Sequence, residues 1–333
     1  MFSFLKKNVT NEPFAETVFE CKRGNLTIRG TEYRPEGESL PVAIISHGFM
    51  AWQDTVRHYA KELARMGYCA YCFDFCGGSV MKKGKSDGAT TDMSILTEVQ
   101  DLETVIEYVQ SLPYNGNDLL LMGCSQGGFV SALVASKHPE LVNRLVLFYP
   151  ALCIPDDARA GKMMLAKFDP KNIPERLNCG PMKLGRCYVA DVIDMDPYED
   201  IKGYHGPVLI VHGTKDSIVN LDYSRKAQRA YPNAELHIIE GGAHGFSKKH
   251  DAIAIAHLRR FAGRDGKSKS MTSARKSFPA RSIPAIQSRK SKRCILPGQA
   301  TFITCLSLPC APTMAPMWMR PFTSFMMVRL WIR

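Results

Sequence analysis

The sequence lacks an apolar run long enough to span a bilayer, which takes about 20 residues, and it lacks a recognisable secretory leader. Its first apolar stretch is interrupted at Lys6 and Lys7, too early for the hydrophobic region of a signal peptide. We therefore expect a cytoplasmic protein with no membrane partner. In that reducing compartment the 11 cysteines are expected to be buried thiols rather than disulfides.

Acidic residues are almost absent from the last part of the chain. Residues 264–333 contain 13 Lys and Arg but a single acid, Asp265, whereas residues 1–263 carry 30 basic and 31 acidic side chains. The formal net charge of +11 therefore does not indicate a nucleic-acid partner for the nearly neutral larger part. Because residues 264–333 show no sustained periodicity, we predict a disordered basic tail that is not a domain and resembles an unselected extension. A basic arm that binds nucleic acid or membrane is the alternative.

Metal-binding and nucleotide-binding motifs are also lacking. Cys69 and Cys72 have Cys-x-x-Cys spacing, but they lie in a predicted strand, where residues three apart face opposite sides. The stretch GSVMKKGKS, residues 78–86, nearly matches a phosphate-binding loop. Its glycines enclose five residues rather than four, and a following Asp-Gly pair interrupts the helix that such a loop requires. We expect no metal and no cofactor, and a flexible surface loop at 78–86.

After Pro41, short apolar segments alternate with amphipathic helices, the pattern of parallel βαβ units. The pattern predicts an antiparallel pair of strands within 16–34 and further strands at 41–48, 68–75, 144–150, 207–213 and 235–241, with one more strand ending at Gly123. It also predicts helices at 54–67, within 91–112, from the residues after Gly123 to about Lys137, and at 247–262. We therefore predict an α/β fold with a doubly wound, mostly parallel sheet. Ligands of such sheets bind at the carboxyl ends of the strands.

Residues 151–203 interrupt this alternation. They contain five prolines and no long periodic element, although they lie between two predicted core strands. Insertions of this length in a compact domain usually have a function. We predict that 151–203 form a cap over a catalytic domain made of residues 1–150 and 204–263.

One serine carries a motif for nucleophilic catalysis. Residues 123–127, GCSQG, fit Gly-x-Ser-x-Gly, in which the serine tops a strained turn between a strand and a helix. Ser125 then needs a general base. His244 lies in a glycine-rich loop just after a predicted strand, at the same edge of the sheet, and we predict that it is the base rather than a loop histidine of structural role. Packing or solvent exposure is expected for four other histidines, His212, His237, His250 and His257.

The imidazole needs a carboxylate to hold its tautomer, and a tetrahedral intermediate needs hydrogen-bond donors. Asp216 follows the strand 207–213 at the same edge, and we predict that it is this carboxylate; a turn aspartate that caps the next helix is the alternative. The predicted donors are the backbone N–H groups of Phe49, in the SHGF stretch after the first core strand, and of Gln126; a plain turn from strand to loop at SHGF is the alternative. Three further acids, Asp194, Asp196 and Asp200, belong to the predicted cap.

The stretches SHGF, GKSDG, GCSQGG, HGTKD and GGAHGF together resemble the α/β-hydrolase superfamily, in which nucleophile, acid and base follow in this chain order. SQGG, DPKNIPERL and LGRCY resemble more closely the bacterial intracellular cinnamoyl or feruloyl esterases, over roughly residues 15–262. This resemblance implies a serine carboxylesterase without cofactor whose small-molecule substrates are hydroxycinnamate esters. It also implies that Asp157 and Tyr188 of the cap bind the phenolic hydroxyl groups of the substrate.

Several alternatives stay open at this point. Asp157 could cap a helix starting at Ala158, and Tyr188 could simply pack. The enzyme could be a general short-chain carboxylesterase, a thioesterase or a peptidase-like hydrolase, and a hydrolase-like binding module would have no activity. The chain also departs from the family: the loop CGGSVMKKG lacks the family's histidine, and Cys124 stands where the family has histidine before the nucleophile. The sequence indicates no oligomeric state.

Overall fold

The computed structural model of the protein describes residues 12–80 and 83–263, so the predicted tail at 264–333 lies outside the described residues. These residues fall within one compact unit of the chain, built on an eight-stranded sheet. The strands of this sheet are β1 (Phe14–Arg23), β2 (Leu26–Pro35), β3 (Leu40–Ser46), β4 (Cys69–Phe73), β5 (Asn115–Cys124), β6 (Arg144–Phe148), β11 (Val208–Gly213) and β12 (Ala234–Ile239).

The strand order in the sheet is β1-β2-β4-β3-β5-β6-β11-β12. β1 and β2 form an antiparallel hairpin, β2 is antiparallel to β4, and all pairs from β4 to β12 are parallel. This confirms the predicted mostly parallel sheet with an antiparallel lead-in. The register places Ser46 of β3 opposite Gly123 of β5, so the loops that follow these two strands start side by side.

The helices that flank the sheet are α1 (Arg57–Arg65), α2 (Ile95–Ser111), α3 (Gln126–Lys137), α7 (Leu221–Ala230) and α8 (Lys248–Ala262). α1 and α8 contact each other, and their apolar side chains share a core cluster with Ala43, Ile45 and Val146 of the sheet. Alternate strand residues such as Ile44 and Leu145, which are fully buried, point to the other face. α2 and α3 contact each other and pack against β5. The sheet is therefore covered on both faces, as buried parallel strands require.

α2 (Ile95–Ser111) lies within the predicted helical segment 91–112. Ser94 is its N-cap and forms a capping box with Thr97, which satisfies backbone groups at the helix start. Its predicted apolar face is buried, and consists of Ile95, Val99, Leu102, Ile106 and Val109. α1 begins later than predicted, because residues 53–55 form a separate 3₁₀ turn.

Residues 151–203 lie between β6 and β11 and contain only short elements. These are α4 (Ile154–Arg159), β7 (Lys162–Met163), β8 (Ala166–Lys167), β9 (Arg176–Asn178), β10 (Lys183–Gly185), α5 (Arg186–Ala190) and α6 (Pro197–Ile201). β7 pairs with β8, and β9 with β10, as two small antiparallel hairpins. We call residues 151–203 the insertion; it contacts the α2 side of the domain, where Ser94 Oγ donates to the Asp191 carboxylate over 2.5 Å.

The cysteines of the described part are all free, and Cys69 and Cys72 are fully buried in β4, as predicted for core thiols. In residues 12–80 and 83–263, no helix has the length and apolar character needed to cross a membrane. Within the same ranges, no three His, Cys, Asp or Glu side chains gather in a metal-binding arrangement. A cytoplasmic location stays a prediction.

Candidate active site

Ser125 forms the sharp turn that joins β5 to α3. β5 ends at Cys124 and α3 begins at Gln126, so Ser125 alone makes the connection. Its φ of 55° and ψ of −119° lie outside the regions preferred by residues with side chains, so the turn is strained. Its N–H donates to the Phe148 carbonyl and its carbonyl accepts from the Ala151 N–H, each over 2.9 Å. These bonds hold the half-buried serine at the carboxyl end of the sheet.

The two glycines of the motif allow backbone segments to close on this turn. A Cβ atom at Gly123 would lie 2.1 Å from the carbonyl oxygen of Gly127, and one at Gly127 would lie 2.3 Å from that of His47. Such contacts are sterically excluded, so both positions require glycine. The motif therefore has a packing cause: the start of α3 lies directly against the ends of β5 and β3.

Ser125, His244 and Asp216 meet at this edge of the sheet. His244 Nε2 lies 2.9 Å from Ser125 Oγ, and His244 Nδ1 lies 2.8 Å from Asp216 Oδ2. The side chains of His244 and Asp216 are 7% and 1% exposed, so water has little access to the bond between them. The ring of Tyr149 packs against the imidazole, with centroids 4.7 Å apart. The structure thus brings the three predicted residues into one hydrogen-bonded series.

The loops that carry the acid and the imidazole are joined to each other. They follow β11 and β12, which are parallel neighbours in the sheet. Beyond the strands, the Lys215 N–H donates to the Gly242 carbonyl over 2.8 Å. The separation of Asp216 from His244 is therefore set by backbone structure rather than by the two side chains alone.

Asp216 accepts hydrogen bonds at both carboxylate oxygens. Oδ1 accepts from the N–H groups of Ile218 and Val219, each over 2.9 Å. Oδ2 is shared by His244 and by His212, whose Nε2 lies 3.1 Å away. Burial by itself raises the pKa of Asp216, but the hydrogen bonds from His212 and His244 outweigh it and hold the pKa below its ordinary value. The carboxylate is therefore ionised where an imidazolium would form.

The loop after β3 runs beside the nucleophile. A Cβ atom at Gly48 would lie 3.0 Å from Ser125 Cβ, which puts this backbone in contact with the serine. The buried imidazole of His47 accepts from the Phe75 N–H at Nε2 over 3.1 Å, so its Nδ1 donates to the Gly48 carbonyl over 2.9 Å. Burial lowers the pKa of His47, in agreement with a neutral ring. Because the Gly48 carbonyl belongs to the same planar peptide unit as the Phe49 N–H, His47 fixes the plane of this predicted donor.

Gln126 and Tyr188 are in direct contact. Tyr188 of α5 is 2% exposed, and its hydroxyl donates to Gln126 Oε1 over 2.5 Å. Burial raises the pKa of Tyr188 well above its ordinary value, so the hydroxyl keeps its proton. The tyrosine ring also lies 5.8 Å, between centroids, from the ring of Phe49. The insertion therefore contacts both residues whose N–H groups are predicted to face the oxyanion. Gln126 is also the first residue of α3, and N–H groups in the first turn of a helix have no acceptor within the helix.

Asp157 lies inside α4, so the alternative in which it caps a helix starting at Ala158 is wrong. Its side chain is half-buried beside Cys153, and this burial raises its pKa. The Asp157 charge also contributes to the raised pKa of Tyr188, behind the larger effect of burial. The two residues of the insertion that were predicted to bind substrate thus lie close enough to interact electrostatically.

Several other residues considered from the sequence pack, stack or cap a helix outside the series of Ser125, His244 and Asp216. Cys124 packs behind the turn, where burial raises the pKa of its thiol to about 12. His237 and His257 stack on each other with ring centroids 4.0 Å apart. Asp196 caps α6 by accepting from the Tyr198 N–H over 3.0 Å.

The loop that resembled a phosphate-binding motif has no helix at its end. Its Lys85 N–H donates to the Asp74 carboxylate over 2.8 Å, and the Arg29 N–H of β2 donates to Ser86 Oγ over 2.8 Å. This part of the loop is hydrogen-bonded to the sheet rather than arranged around an anion.

Comparisons with known proteins agree with this architecture. A family model described as serine aminopeptidase, S33, matches residues 37–184. The structure of Est1E from Butyrivibrio proteoclasticus with ferulic acid bound is 27% identical, with a TM-score of 0.68, and the match covers 73% of this chain and 98% of that one. The chain has the α/β-hydrolase fold, and it resembles α/β-hydrolase serine esterases of the feruloyl esterase type.

Two curated relatives extend the comparison. A monoacylglycerol lipase of Mycolicibacterium smegmatis is 22% identical over 228 residues, which are 66% of this chain and 75% of the lipase. The non-heme chloroperoxidase CPO-A1 of Kitasatospora aureofaciens is 44% identical over 50 residues; the chain spans only 18% of its length, and the match is 15% of this chain. Est1E and the monoacylglycerol lipase together support a hydrolase of the esterase and lipase type.

The interpretation of the sequence missed the contact between His212 and Asp216. His212 is the next-to-last residue of β11, and we expected it to pack there. A usable signal was present: a histidine near the end of a buried strand and four residues before an acid must find hydrogen-bond partners, because buried polar groups are rarely left unpaired.

Proposed function

We propose that this protein is a serine carboxylesterase that hydrolyses hydroxycinnamate esters, such as feruloyl, caffeoyl or coumaroyl esters, through an acyl-enzyme intermediate. The observation that carries the proposal is the hydrogen-bonded series from Ser125 through His244 to Asp216. Such a series activates a serine hydroxyl, because the imidazole takes the proton as the oxygen attacks. The proposed catalytic residues are these three, with the N–H groups of Phe49 and Gln126 as oxyanion donors.

In acylation, Ser125 Oγ attacks the carbonyl carbon of the ester while His244 Nε2 accepts the hydroxyl proton. The carbonyl oxygen becomes an oxyanion that the Phe49 and Gln126 N–H groups stabilise. Asp216 stabilises the imidazolium through its bond to Nδ1. The intermediate then collapses, the bond from the acyl carbon to the alcohol oxygen breaks, and His244 gives its proton to the leaving alcohol.

Deacylation repeats these steps with water. His244 removes a proton from a water molecule as its oxygen attacks the acyl carbon of the Ser125 ester. A second oxyanion forms in the same place, and its collapse releases the carboxylic acid while the proton returns to Ser125 Oγ. Because one imidazole serves in both halves, loss of His244 should stop acylation and deacylation alike.

The choice of substrate class is supported by the likeness to Est1E, which is described with ferulic acid bound, and by the insertion. A buried phenolic hydroxyl without a partner costs about 1–3 kcal/mol, so a hydroxycinnamate pocket needs polar groups. We propose that the insertion is a cap and that Asp157 and Tyr188 supply these groups. Because the Tyr188 hydrogen is used by Gln126, the phenol would donate to Tyr188 Oη or to the Asp157 carboxylate.

The ester-hydrolase proposal is tested by turnover of p-nitrophenyl acetate by the wild-type protein and by Ser125→Ala. Release of nitrophenolate by the wild type, and its loss in the variant, is expected. If the wild type neither hydrolyses the ester nor forms an adduct with an organophosphate, a hydrolase-like binding module is the better description.

The substrate class is tested separately by comparing kcat/KM for methyl ferulate, methyl caffeate, a monoacylglycerol, an acyl thioester and an aminoacyl anilide. The highest value is expected for the hydroxycinnamates. A higher kcat/KM for the monoacylglycerol or the thioester would be consistent with the same mechanism but would contradict the proposed substrate class.

A further inference from the structure

We propose that His212 and Ser224 are positioning residues that hold the Asp216 carboxylate in the orientation His244 needs. This inference rests on the proposed function, since it concerns the acid of the same catalytic series. The two residues come from different elements: His212 lies at the end of β11, and Ser224 lies on α7. Both side chains are fully buried.

The hydrogen-bond partners of His212 determine which ring nitrogen carries the proton toward Asp216. Nε2 lies 3.1 Å from Asp216 Oδ2 and 3.0 Å from the Val219 carbonyl oxygen. Both of these atoms only accept, so Nε2 must carry a hydrogen and share it between them. Nδ1 lies 2.7 Å from Ser224 Oγ, and with the proton on Nε2 it accepts the hydrogen of that hydroxyl.

The result is a directional series of hydrogen bonds behind the proposed triad. Ser224 donates to His212, and His212 donates to Asp216 Oδ2, the same oxygen that accepts from His244 Nδ1. With the backbone N–H groups of Ile218 and Val219 on Oδ1, the carboxylate is held at both oxygens and cannot rotate freely. Hydrogen bonds between buried groups are strengthened by the low local dielectric.

The burial of Ser224 on α7 also supports this role. It is one of only two buried residues that α7 presents, the other being Ala227, although a serine at a core position of a helix is unfavourable unless its hydroxyl is paired. Its partner is the imidazole that contacts the catalytic acid. α7 is therefore linked to the site by a side-chain hydrogen bond as well as by packing.

The alternative is that His212 only fastens the loop between β11 and α7, through the Val219 carbonyl. Both roles predict some loss of stability when His212 is replaced, so stability alone does not separate them. A positioning role also predicts a fall in kcat at unchanged KM, because the ester is bound by other residues. It further predicts a change in the hydrogen bond between His244 Nδ1 and Asp216, which is visible as a low-field proton resonance.

The experiment compares His212→Leu, which removes the donor, with His212→Gln, whose amide can still donate to Asp216, and with Ser224→Ala. For p-nitrophenyl acetate we expect His212→Leu to lower kcat by roughly 10- to 100-fold with little change in KM, the order expected for a misplaced catalytic group. His212→Gln should recover most of this loss. The low-field resonance of His244 should shift or broaden in His212→Leu and stay near its wild-type position in His212→Gln.

A folded His212→Leu protein with wild-type kcat and an unchanged resonance would overturn the inference. If that variant does not fold, Ser224→Ala decides: a several-fold lower kcat with a shifted resonance supports the series, and wild-type values of both refute it. Failure of the proposed function would look different, as absence of turnover in the wild type itself. The resonance is measurable without turnover, so the two failures are distinguishable.

Discussion

The sheet edge and the insertion contribute to the site in different ways. At the sheet edge, Ser125, Asp216 and His244 each follow a strand of the parallel sheet, and backbone hydrogen bonds hold their loops. The insertion has only short elements and reaches the site through side chains, with Tyr188 on Gln126 as the clearest contact. Under the proposed function, the chemistry belongs to the sheet edge, where positions are set by strand register, and substrate selectivity belongs to a segment that can vary without disturbing the sheet.

Substitutions at the sheet edge should therefore lower kcat by the same factor for all ester substrates. Ser125→Ala or His244→Ala should each lower kcat by about 10⁴- to 10⁶-fold, and the double variant should lose little more, because the residues act as a unit. The measurement is kcat for an acetate ester and a ferulate ester with each variant. A Ser125→Ala protein that retains near-normal kcat would end the assignment of the site.

The loop after β3, whose Phe49 N–H is a proposed oxyanion donor, offers a smaller perturbation of the same region. Gly48→Ala places a Cβ atom 3.0 Å from Ser125 Cβ, so the loop or the serine must shift by a few tenths of an ångström. We expect kcat to fall by roughly 10- to 100-fold for both ester types, because the Phe49 N–H moves relative to the reacting carbonyl. Unfolding by guanidinium serves as the control. An unchanged kcat in a variant of normal stability would show that this loop does not serve the oxyanion.

In the insertion, Asp157 can be compared with its neighbour Asp156. Asp156 is exposed and paired with Arg159 and Tyr223, whereas Asp157 is half-buried. Asp157→Asn should lower kcat/KM for ferulate esters by about tenfold, which corresponds to the loss of one hydrogen bond. The kcat/KM for the acetate ester should stay unchanged. Asp156→Asn should change kcat/KM by much less than tenfold for either ester. Equal losses on both esters would assign Asp157 to folding and leave a general carboxylesterase.

The smallest expected effect is on the pH dependence of stability and concerns Glu98, a buried carboxyl of α2. Burial raises its pKa well above the ordinary 4.5, so the folded protein keeps a proton that the unfolded chain has lost. The free energy of unfolding should therefore fall as pH rises above 4.5, and Glu98→Gln should remove this part of the slope. Guanidinium unfolding of both proteins between about pH 4.5 and about pH 8 measures how the free energy of unfolding changes with pH. The same slope in both proteins would contradict the assignment of a neutral Glu98.

Much of the sheet could be predicted from the sequence, because buried parallel strands are continuous apolar runs and the flanking helices have apolar faces. α7 was missed: only Ser224 and Ala227 are buried, so its apolar face is too narrow to give a helical period. The elements of the insertion were also unpredictable, since two- to six-residue segments leave no periodic pattern. For the site, the order of Ser125, Asp216 and His244 along the chain was informative because each follows a strand. The contact of His212 with Asp216 was missed, because a place in a buried strand indicates that the imidazole needs partners but does not say which ones.

The most direct test of the central claim, that Ser125 is the nucleophile activated by His244, is covalent labelling with a fluorophosphonate followed by peptide mass spectrometry. The account predicts a single adduct, on the peptide that contains Ser125, with no adduct in Ser125→Ala and much slower labelling in His244→Ala. A wild-type protein that stays unlabelled, or that is labelled at another residue such as Ser131, would contradict it.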